Sequence, residues 1–132
     1  MKKIGVFTIM VCLMMILVGC SSHEVESESY HKITVKEAKK MMDEQDVMIV
    51  DVRTEEEYKA QHIEKAVLVP NETIAEEASQ KLPDKSKTYL VYCRSGSRSL
   101  AASKELVKQG YEAVYDFGGI KDWPYEVVSE HE

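Results

Sequence analysis

The sequence predicts an α/β fold in a single domain, with a central, mainly parallel sheet that carries helices on both faces. Short apolar runs alternate along the chain with segments of helical pattern, which is typical of parallel strands joined by helices. The runs are apolar almost throughout, as expected of strands covered on both sides. With 132 residues, of which 44% are apolar and 30% charged, the chain is long enough for one compact domain and too short for two.

Two helix starts in the first half of the domain have the same signal. Residues 34–37 and 54–57 both run from a Thr to a Glu three positions later, which is the spacing of a capping box. They predict one helix that runs through Met42 and a second that begins before Tyr58. Between them, residues 47–52 are nearly all apolar and predict a buried strand.

The second half continues the alternation. Strands are predicted at 66–69, 88–92 and 113–115, and helices at 71–81 and 99–109. Pro70 stops the first of these strands, because proline cannot donate to a sheet. Gly110 follows the last helix, in the position where glycine commonly ends helices.

The N-terminus has the pattern of an export signal. Lys2 and Lys3 precede an apolar run at residues 4–18, and this run is short for a bilayer core, which needs about 20 residues. Leu17-Val18-Gly19-Cys20 resembles the lipobox of bacterial lipoprotein signal peptides. The resemblance implies a signal peptide at residues 1–19, a lipid on Cys20 and an extracytoplasmic, membrane-anchored protein. An uncleaved membrane anchor is the alternative.

Residues 20–31 are rich in Ser and Glu and predict a solvated acidic tether, which leaves residues 32–130 for the folded domain. The formal net charge of -6 argues against nucleic acid as a partner, since nucleic-acid-binding domains are usually basic. An acidic domain is also repelled by anionic headgroups, so we expect membrane contact through the N-terminal lipid alone.

Cysteine usage singles out one thiol. Of the three cysteines, Cys12 would leave with the signal peptide and Cys20 would carry lipid, so Cys93 would remain as the free thiol. An intramolecular disulfide is therefore not expected. A lone thiol outside the cytoplasm is either a reactive group or a buried inert residue. The residues around Cys93 favour a reactive group.

Cys93 follows a predicted strand and precedes a predicted helix, at the carboxyl edge of the sheet where open α/β folds bind ligands. The residues after it are small, flexible or cationic, which suits a loop whose backbone N–H groups point at an anion. Gly96 permits the positive φ that such a loop needs. These features favour the thiolate and predict a nucleophile, whereas a core cysteine followed by a polar turn is the plainer alternative.

The run from Cys93 resembles the active-site loop of the rhodanese homology domain. Residues 51–53 and 57–70 resemble the upstream signature of that family, and Gly118-Gly119 with Trp123 resembles its closing element. The resemblance spans about residues 33–127. One departure is Glu64-Lys65, which stands where the family usually has a polar residue and Gly. The resemblance implies Cys93 as the catalytic residue and substrate binding by Arg94, Ser95, Gly96, Ser97, Arg98 and Ser99.

The implied activity is sulfur transfer from thiosulfate or a persulfide donor, through a Cys93 persulfide, to a thiol, a cyanide-like nucleophile or a protein acceptor. One alternative is a membrane-tethered module that carries persulfide or senses redox state. Phosphatases and arsenate reductases share the fold, but phosphatase loops have the pattern Cys-x5-Arg and this loop is shorter, since four residues separate Cys93 from Arg98. In such tight loops a closing Arg can instead pair with a carboxylate outside the ring.

Two polar residues at the end of a neighbouring strand are expected to support the loop. Asp51 is expected to bond loop amides, pair with an Arg or cap the strand, and Arg53 is expected to pair with a helix carboxylate. His62 is interpreted as a structural residue, with general-base catalysis as the weaker alternative. Trp123 is expected to close the core, and the sequence predicts neither a metal nor a cofactor.

Overall fold

The computed structural model describes residues 28–130, which form a parallel five-stranded sheet in the order β1-β5-β4-β2-β3. The strands are β1 (Tyr30–Lys32), β2 (Met48–Asp51), β3 (Val67–Leu68), β4 (Thr88–Cys93) and β5 (Ala113–Gly119). The helices are α1 (Val35–Glu44), α2 (Glu55–Ala60), α3 (Ile74–Lys81) and α4 (Ser97–Lys108), and a short 3-10 helix follows at Ile120–Asp122. The predicted α/β fold class is confirmed.

The sheet separates two hydrophobic clusters, because side chains alternate between its faces. On one face Ala78 of α3 and Leu106 of α4 pack against strand residues such as Val91. On the other face Ala38 of α1 and Tyr58 of α2 pack around Leu90 and its neighbours. The helices therefore cover both faces, as the apolar character of the strands predicts.

Both predicted capping boxes are present. In α1 the Thr34 hydroxyl accepts the N–H of Glu37 at 3.1 Å, and the Glu37 carboxylate accepts the N–H of Thr34 at 2.7 Å. In α2 the Thr54 and Glu57 pair makes the same two contacts at 3.2 and 2.9 Å. These reciprocal bonds satisfy N–H groups that the start of a helix leaves without partners.

The structure corrects several predicted boundaries. Strand β5 extends to Gly119 rather than ending at residue 115, and α4 begins at Ser97 rather than at residue 99. Tyr30 and His31 belong to β1, where they pair with Val114 and Tyr115 of β5, so the fold begins two residues before the predicted start of the domain at residue 32. Helix α3 begins at Ile74 rather than at residue 71, because the chain first makes a turn in which the N–H of Thr73 bonds the carbonyl of Pro70.

The predicted signal peptide, Cys20 and most of the predicted tether lie outside the described residues. Between residues 28 and 130, no helix is long and apolar enough to cross a bilayer.

Candidate active site

Cys93 is the last residue of β4, at the carboxyl edge of the sheet and next to the two strands that flank β4. Cys93 is 1% exposed, so a reactant has to approach through the opening of the loop that follows. The loop turns sharply at Gly96, whose φ of 113° lies in the left-handed region that glycine adopts without strain. The turn brings the Gly96 N–H to 3.0 Å from the Cys93 Sγ, to which it donates.

Competing effects act on the pKa of Cys93. Burial raises it, but the polar groups of Ser99, Gly96 and Ser95 around the sulfur outweigh burial, and the net pKa is lowered. The backbone N–H groups among them are fixed by the start of α4, where they have no intrahelical partners. The site therefore favours the thiolate, which is the nucleophilic form of cysteine.

We expect alkylation of Cys93 by iodoacetamide to reach its half-maximal rate at a lower pH than an ordinary thiol, whose pKa is about 8.5. The reason is the lowered pKa, which populates the thiolate at lower pH. Rate constants measured from pH 5 to 10, roughly spanning the thiol range, would give the midpoint, and the same protein unfolded in urea is the control. A midpoint equal to or above that of the unfolded chain would contradict the prediction.

Asp116 is a buried carboxylate beneath the loop that the sequence did not single out. Its Oδ1 accepts the Ser99 hydroxyl at 2.8 Å and the Gly118 N–H at 3.0 Å. Its Oδ2 accepts the Tyr30 hydroxyl at 3.1 Å and lies 3.6 Å from the Lys32 ammonium. Asp116 therefore ties the start of α4 and the end of β5 to β1. In the sequence it resembles any polar residue near the end of a strand.

Gly119 allows β5 to approach the loop closely. A Cβ built at this position would lie 1.9 Å from the carbonyl oxygen of Arg94 and 2.7 Å from the Cα of Ser95. Both are backbone atoms and cannot rotate away. The absence of a side chain at Gly119 thus sets the position of the residues that follow Cys93.

Arg98 closes the loop but turns outward. Its two terminal nitrogens donate to the two carboxylate oxygens of Glu57 at 2.7 and 3.0 Å. Arg98 thus pairs with a carboxylate outside the loop, which is the alternative expected for the closing Arg of a tight loop. The hydrogen bond from Arg98 is the largest influence on Glu57 and lowers its pKa to about 2. The ion pair therefore persists at neutral pH and holds the loop against α2.

The remaining predicted loop residues stand at its opening. Arg94, Ser95 and Ser97 are exposed. Arg94, Glu57 and Lys121 line a cleft of about 450 Å³ beside the loop, and the N–H of Lys121 donates to the Arg94 carbonyl at 3.2 Å. Lys121 was not among the residues predicted from the sequence, where it is an ordinary surface lysine.

Asp51 and Arg53 form a buried ion pair with each other, which corrects the expectation that Arg53 pairs with a helix carboxylate. The Arg53 Nη2 lies 2.7 Å from the Asp51 Oδ2 and also donates to the Gln61 carbonyl at 2.6 Å. Asp51 accepts the Tyr92 hydroxyl at 2.6 Å. These contacts connect β2, β4 and the segment after α2, so the pair supports the fold around the loop.

His62 and Trp123 have structural surroundings. His62 is buried, its Nδ1 lies 2.7 Å from the Tyr58 carbonyl, and its ring stacks on that of Tyr58. Trp123 packs against Phe117. Among residues 28–130, no group of three or more His, Cys, Asp or Glu side chains could hold a metal ion.

Comparison with known proteins gives consistent matches. A family model described as a rhodanese-like domain matches residues 34–125. The thiosulfate sulfurtransferase PspE of Escherichia coli is 37% identical over 73 residues, which cover 55% of this chain and 70% of that protein. The thiosulfate sulfurtransferase GlpE of Coxiella burnetii is 36% identical over 95 residues, which cover 71% of this chain and 87% of that protein.

Further matches include a curated protein with a different named activity and two solved structures with the same fold. A tRNA uridine(34) hydroxylase of Yersinia pestis is 32% identical over 98 residues, which cover 70% of this chain and 28% of that protein. The structure of a rhodanese-like domain protein from Staphylococcus aureus superimposes with a TM-score of 0.67 at 33% identity, covering 76% of this chain and 99% of that chain. An Escherichia coli rhodanese with anions gives 0.60 at 33% identity, covering 64% and 99%.

Proposed function

The chain belongs to the rhodanese family, and from that membership we propose that it transfers sulfane sulfur from thiosulfate or a persulfide donor to a nucleophilic acceptor through a persulfide on Cys93. The observation that carries the proposal is the thiol itself, since the Gly96 N–H donates to Sγ at 3.0 Å and the pKa of Cys93 is lowered. Two relatives named thiosulfate sulfurtransferase support this class of reaction.

In the first half-reaction the Cys93 thiolate attacks the outer sulfur of the donor. A new S–S bond forms between the two sulfur atoms, and the old bond breaks. With thiosulfate, the leaving group is sulfite, which departs with the electron pair of the broken bond. The terminal sulfur stays on Cys93 as a persulfide anion, and backbone N–H groups of the loop are placed to stabilise its charge.

In the second half-reaction an acceptor nucleophile attacks the terminal sulfur. The bond between that sulfur and the Cys93 Sγ breaks, and its electron pair returns to the Cys93 thiolate. The lowered pKa of Cys93 makes it a better leaving group in this step. The cycle needs neither an oxidant nor a metal.

The arginine geometry supports sulfur transfer over phosphoryl transfer. Phosphoryl chemistry relies on cations that clamp the oxygens of the transferred group, whereas both terminal nitrogens of Arg98 are engaged by Glu57. Arg94 is the loop arginine that remains exposed at the opening. We assign it the attraction of the donor anion.

The purified domain is expected to form thiocyanate from thiosulfate and cyanide, and Cys93→Ala is expected to reduce the rate to the uncatalysed background, because the attacking sulfur is gone. Circular dichroism of Cys93→Ala checks that it folds. Cys93→Ser is the closest match in shape and is expected to be equally inactive. Thiocyanate formation that survives Cys93→Ala would contradict the proposal.

The same protein distinguishes turnover from sulfur carriage. Intact mass after thiosulfate treatment is expected to show one added sulfur atom, absent in Cys93→Ala. Rapid loss of that sulfur on addition of cyanide indicates an enzyme, whereas a persistent adduct indicates a carrier module. Absence of any Cys93-dependent adduct would contradict both roles.

We also propose that the protein is exported and held on the outer face of a bacterial membrane by lipid on Cys20. The support is the sequence pattern of Lys2, Lys3, the apolar run and the lipobox-like residues that end at Cys20. Cells that express the full chain and receive an alkyne-labelled fatty acid are expected to label it. Cys20→Ala should abolish the label and Cys12→Ala should retain it; labelled Cys20→Ala protein would contradict the proposal.

A further inference from the structure

The cations around the catalytic loop divide into two groups. Three of them are each paired with a carboxylate: Arg53 with Asp51, Arg98 with Glu57, and Lys32 with Asp116. Arg94 and Lys121 have no such partner in the described part of the chain, and both are exposed. Their charges are therefore available to a ligand, while the paired cations are largely committed to the fold.

The two unpaired cations share one cleft. Arg94 and Lys121 line the same space of about 450 Å³ beside the loop, together with uncharged residues such as Ala60 and Ile120. Glu57 also lines this cleft, but both of its carboxylate oxygens are engaged by Arg98. The hydrogen bond from the Lys121 N–H to the Arg94 carbonyl, at 3.2 Å, joins the two backbones. The cleft is thus a cationic site on an acidic protein.

The chemistry of sulfur transfer brings both reactants to the same side of Cys93. Substitution at a divalent sulfur proceeds in line, so the incoming and leaving groups lie on opposite sides of the sulfur that is transferred. The Cys93 Sγ occupies one of these positions in both half-reactions. The leaving sulfite and the attacking sulfur of the acceptor must therefore occupy the other position, with the rest of the acceptor beyond it, on the open side of the loop. Cations placed there for a departing dianion also act on the acceptor.

We propose that Lys121 is a specificity-determining residue which, with Arg94, selects as acceptor a small thiol that bears a negative group such as a carboxylate. The proposal rests on the sulfur transfer proposed above. The acceptor thiolate forms an S–S bond to the terminal sulfur, the bond from that sulfur to Cys93 breaks, and the electron pair returns to Cys93. The carboxylate of the acceptor lies against the guanidinium of Arg94 and the ammonium of Lys121.

The test isolates the second half-reaction. Cys93 is loaded to completion with thiosulfate, or with polysulfide where a variant loads slowly, and small molecules are removed. Loss of the sulfur is then followed by intact mass with 3-mercaptopropionate, which is anionic, or cysteamine, which is cationic. Each variant is compared by the ratio of its two discharge rates, because this ratio cancels differences that affect both thiols equally.

We expect Lys121→Gln to slow discharge to 3-mercaptopropionate about 5-fold, because one exposed ion pair is lost. Lys121→Glu reverses the charge and is expected to slow this discharge by about 10-fold or more. Discharge to cysteamine should stay equal or rise. Lys104→Glu changes the net charge by the same amount at an exposed position of α4 and should leave both rates unchanged. The wild-type preference for the anionic thiol should fall as salt is added.

The outcomes separate the two proposals. If the wild-type protein loads sulfur and Lys121→Glu keeps the wild-type ratio of discharge rates, the assignment of Lys121 is overturned while sulfur transfer stands. An equal effect of Lys104→Glu also overturns it, because net charge would then explain the change. If the wild-type protein loads no sulfur, the proposed function fails, and the acceptor preference fails with it.

Discussion

Gly119→Ala is expected to reduce thiocyanate formation by about 100-fold or more, since a displacement of about 1 Å at a reacting group has this effect. The new Cβ would lie 1.9 Å from the carbonyl oxygen of Arg94 and 2.4 Å from its carbonyl carbon. Both atoms belong to the backbone directly after Cys93, so the loop has to move as a unit. The N–H groups that face the sulfur would move with it. The measurement is kcat/KM for thiosulfate with cyanide as acceptor.

Gly110→Ala is the matched control. Gly110 follows α4 with a φ of +96°, and a Cβ there costs about 1–2 kcal/mol in the left-handed region, but it meets only the side chain of Lys85 at 4.0 Å. Gly110→Ala should lower the melting temperature and retain activity. The steric argument would be wrong if Gly119→Ala folds and keeps more than roughly half of the wild-type kcat/KM, because the loop would then tolerate the displacement.

Asp51→Ala is expected to destabilise the domain by about 3–5 kcal/mol, the range for removing one partner of a buried ion pair. Asp51 is fully buried and the Arg53 side chain is 5% exposed. Without the carboxylate, the Arg53 guanidinium would be buried with one remaining acceptor, the Gln61 carbonyl. The Tyr92 hydroxyl would also lose its acceptor. Since small domains have a total stability of about 5–15 kcal/mol, we expect partial or complete unfolding at 37 °C.

Urea denaturation at pH 7 would measure the loss. Glu55→Ala is the control, because it removes an exposed ion pair with Lys59 in α2 and should cost less than about 1 kcal/mol. Adding Arg53→Met to Asp51→Ala should recover part of the stability, since it removes the unpaired buried charge. A loss below roughly 1 kcal/mol for Asp51→Ala would mean that water or a moved neighbour replaces the carboxylate.

Local signals in the sequence predict local structure well. The spacing of Thr34 with Glu37, and of Thr54 with Glu57, locates the starts of α1 and α2, because both hydrogen bonds of a capping box lie within four residues. The position of Cys93 between a strand and a helix also follows from local pattern. Strand β1 was missed because it has three residues, none of them fully buried, and takes its place by pairing with β5, which lies far away in sequence.

The parts of the site that depend on distant residues were not predictable from pattern. Asp116 resembles a polar turn residue in the sequence, yet it is buried because Ser99 of α4 and Tyr30 and Lys32 of β1 surround it, and both elements lie far from it in the sequence. Arg53 pairs with Asp51, two residues before it, because the chain turns at the end of β2. No helix carboxylate reaches that position among the described residues.

Lys65 has a strained backbone conformation, at a position where the sequence departs from the family pattern. Its φ of 69° lies in the left-handed region, at the position where the family usually has Gly. A residue with a Cβ is strained there by about 1–2 kcal/mol. The departure from the family pattern therefore corresponds to a backbone strain in the segment before β3, outside the loop that contains Cys93.

The short strand β1 also fixes the side of the domain at which the N-terminal chain enters the fold. Strands of a parallel sheet all run in one direction. The chain therefore enters β1 at the amino ends of the strands, whereas β4 ends in Cys93 at the carboxyl ends. In a chain held at a surface through its N-terminus, the point where the tether enters the fold would thus lie at the opposite end of the sheet from the reactive sulfur. Small solutes and partner proteins would then reach Cys93 from the surrounding medium, and the attachment surface would not obstruct them.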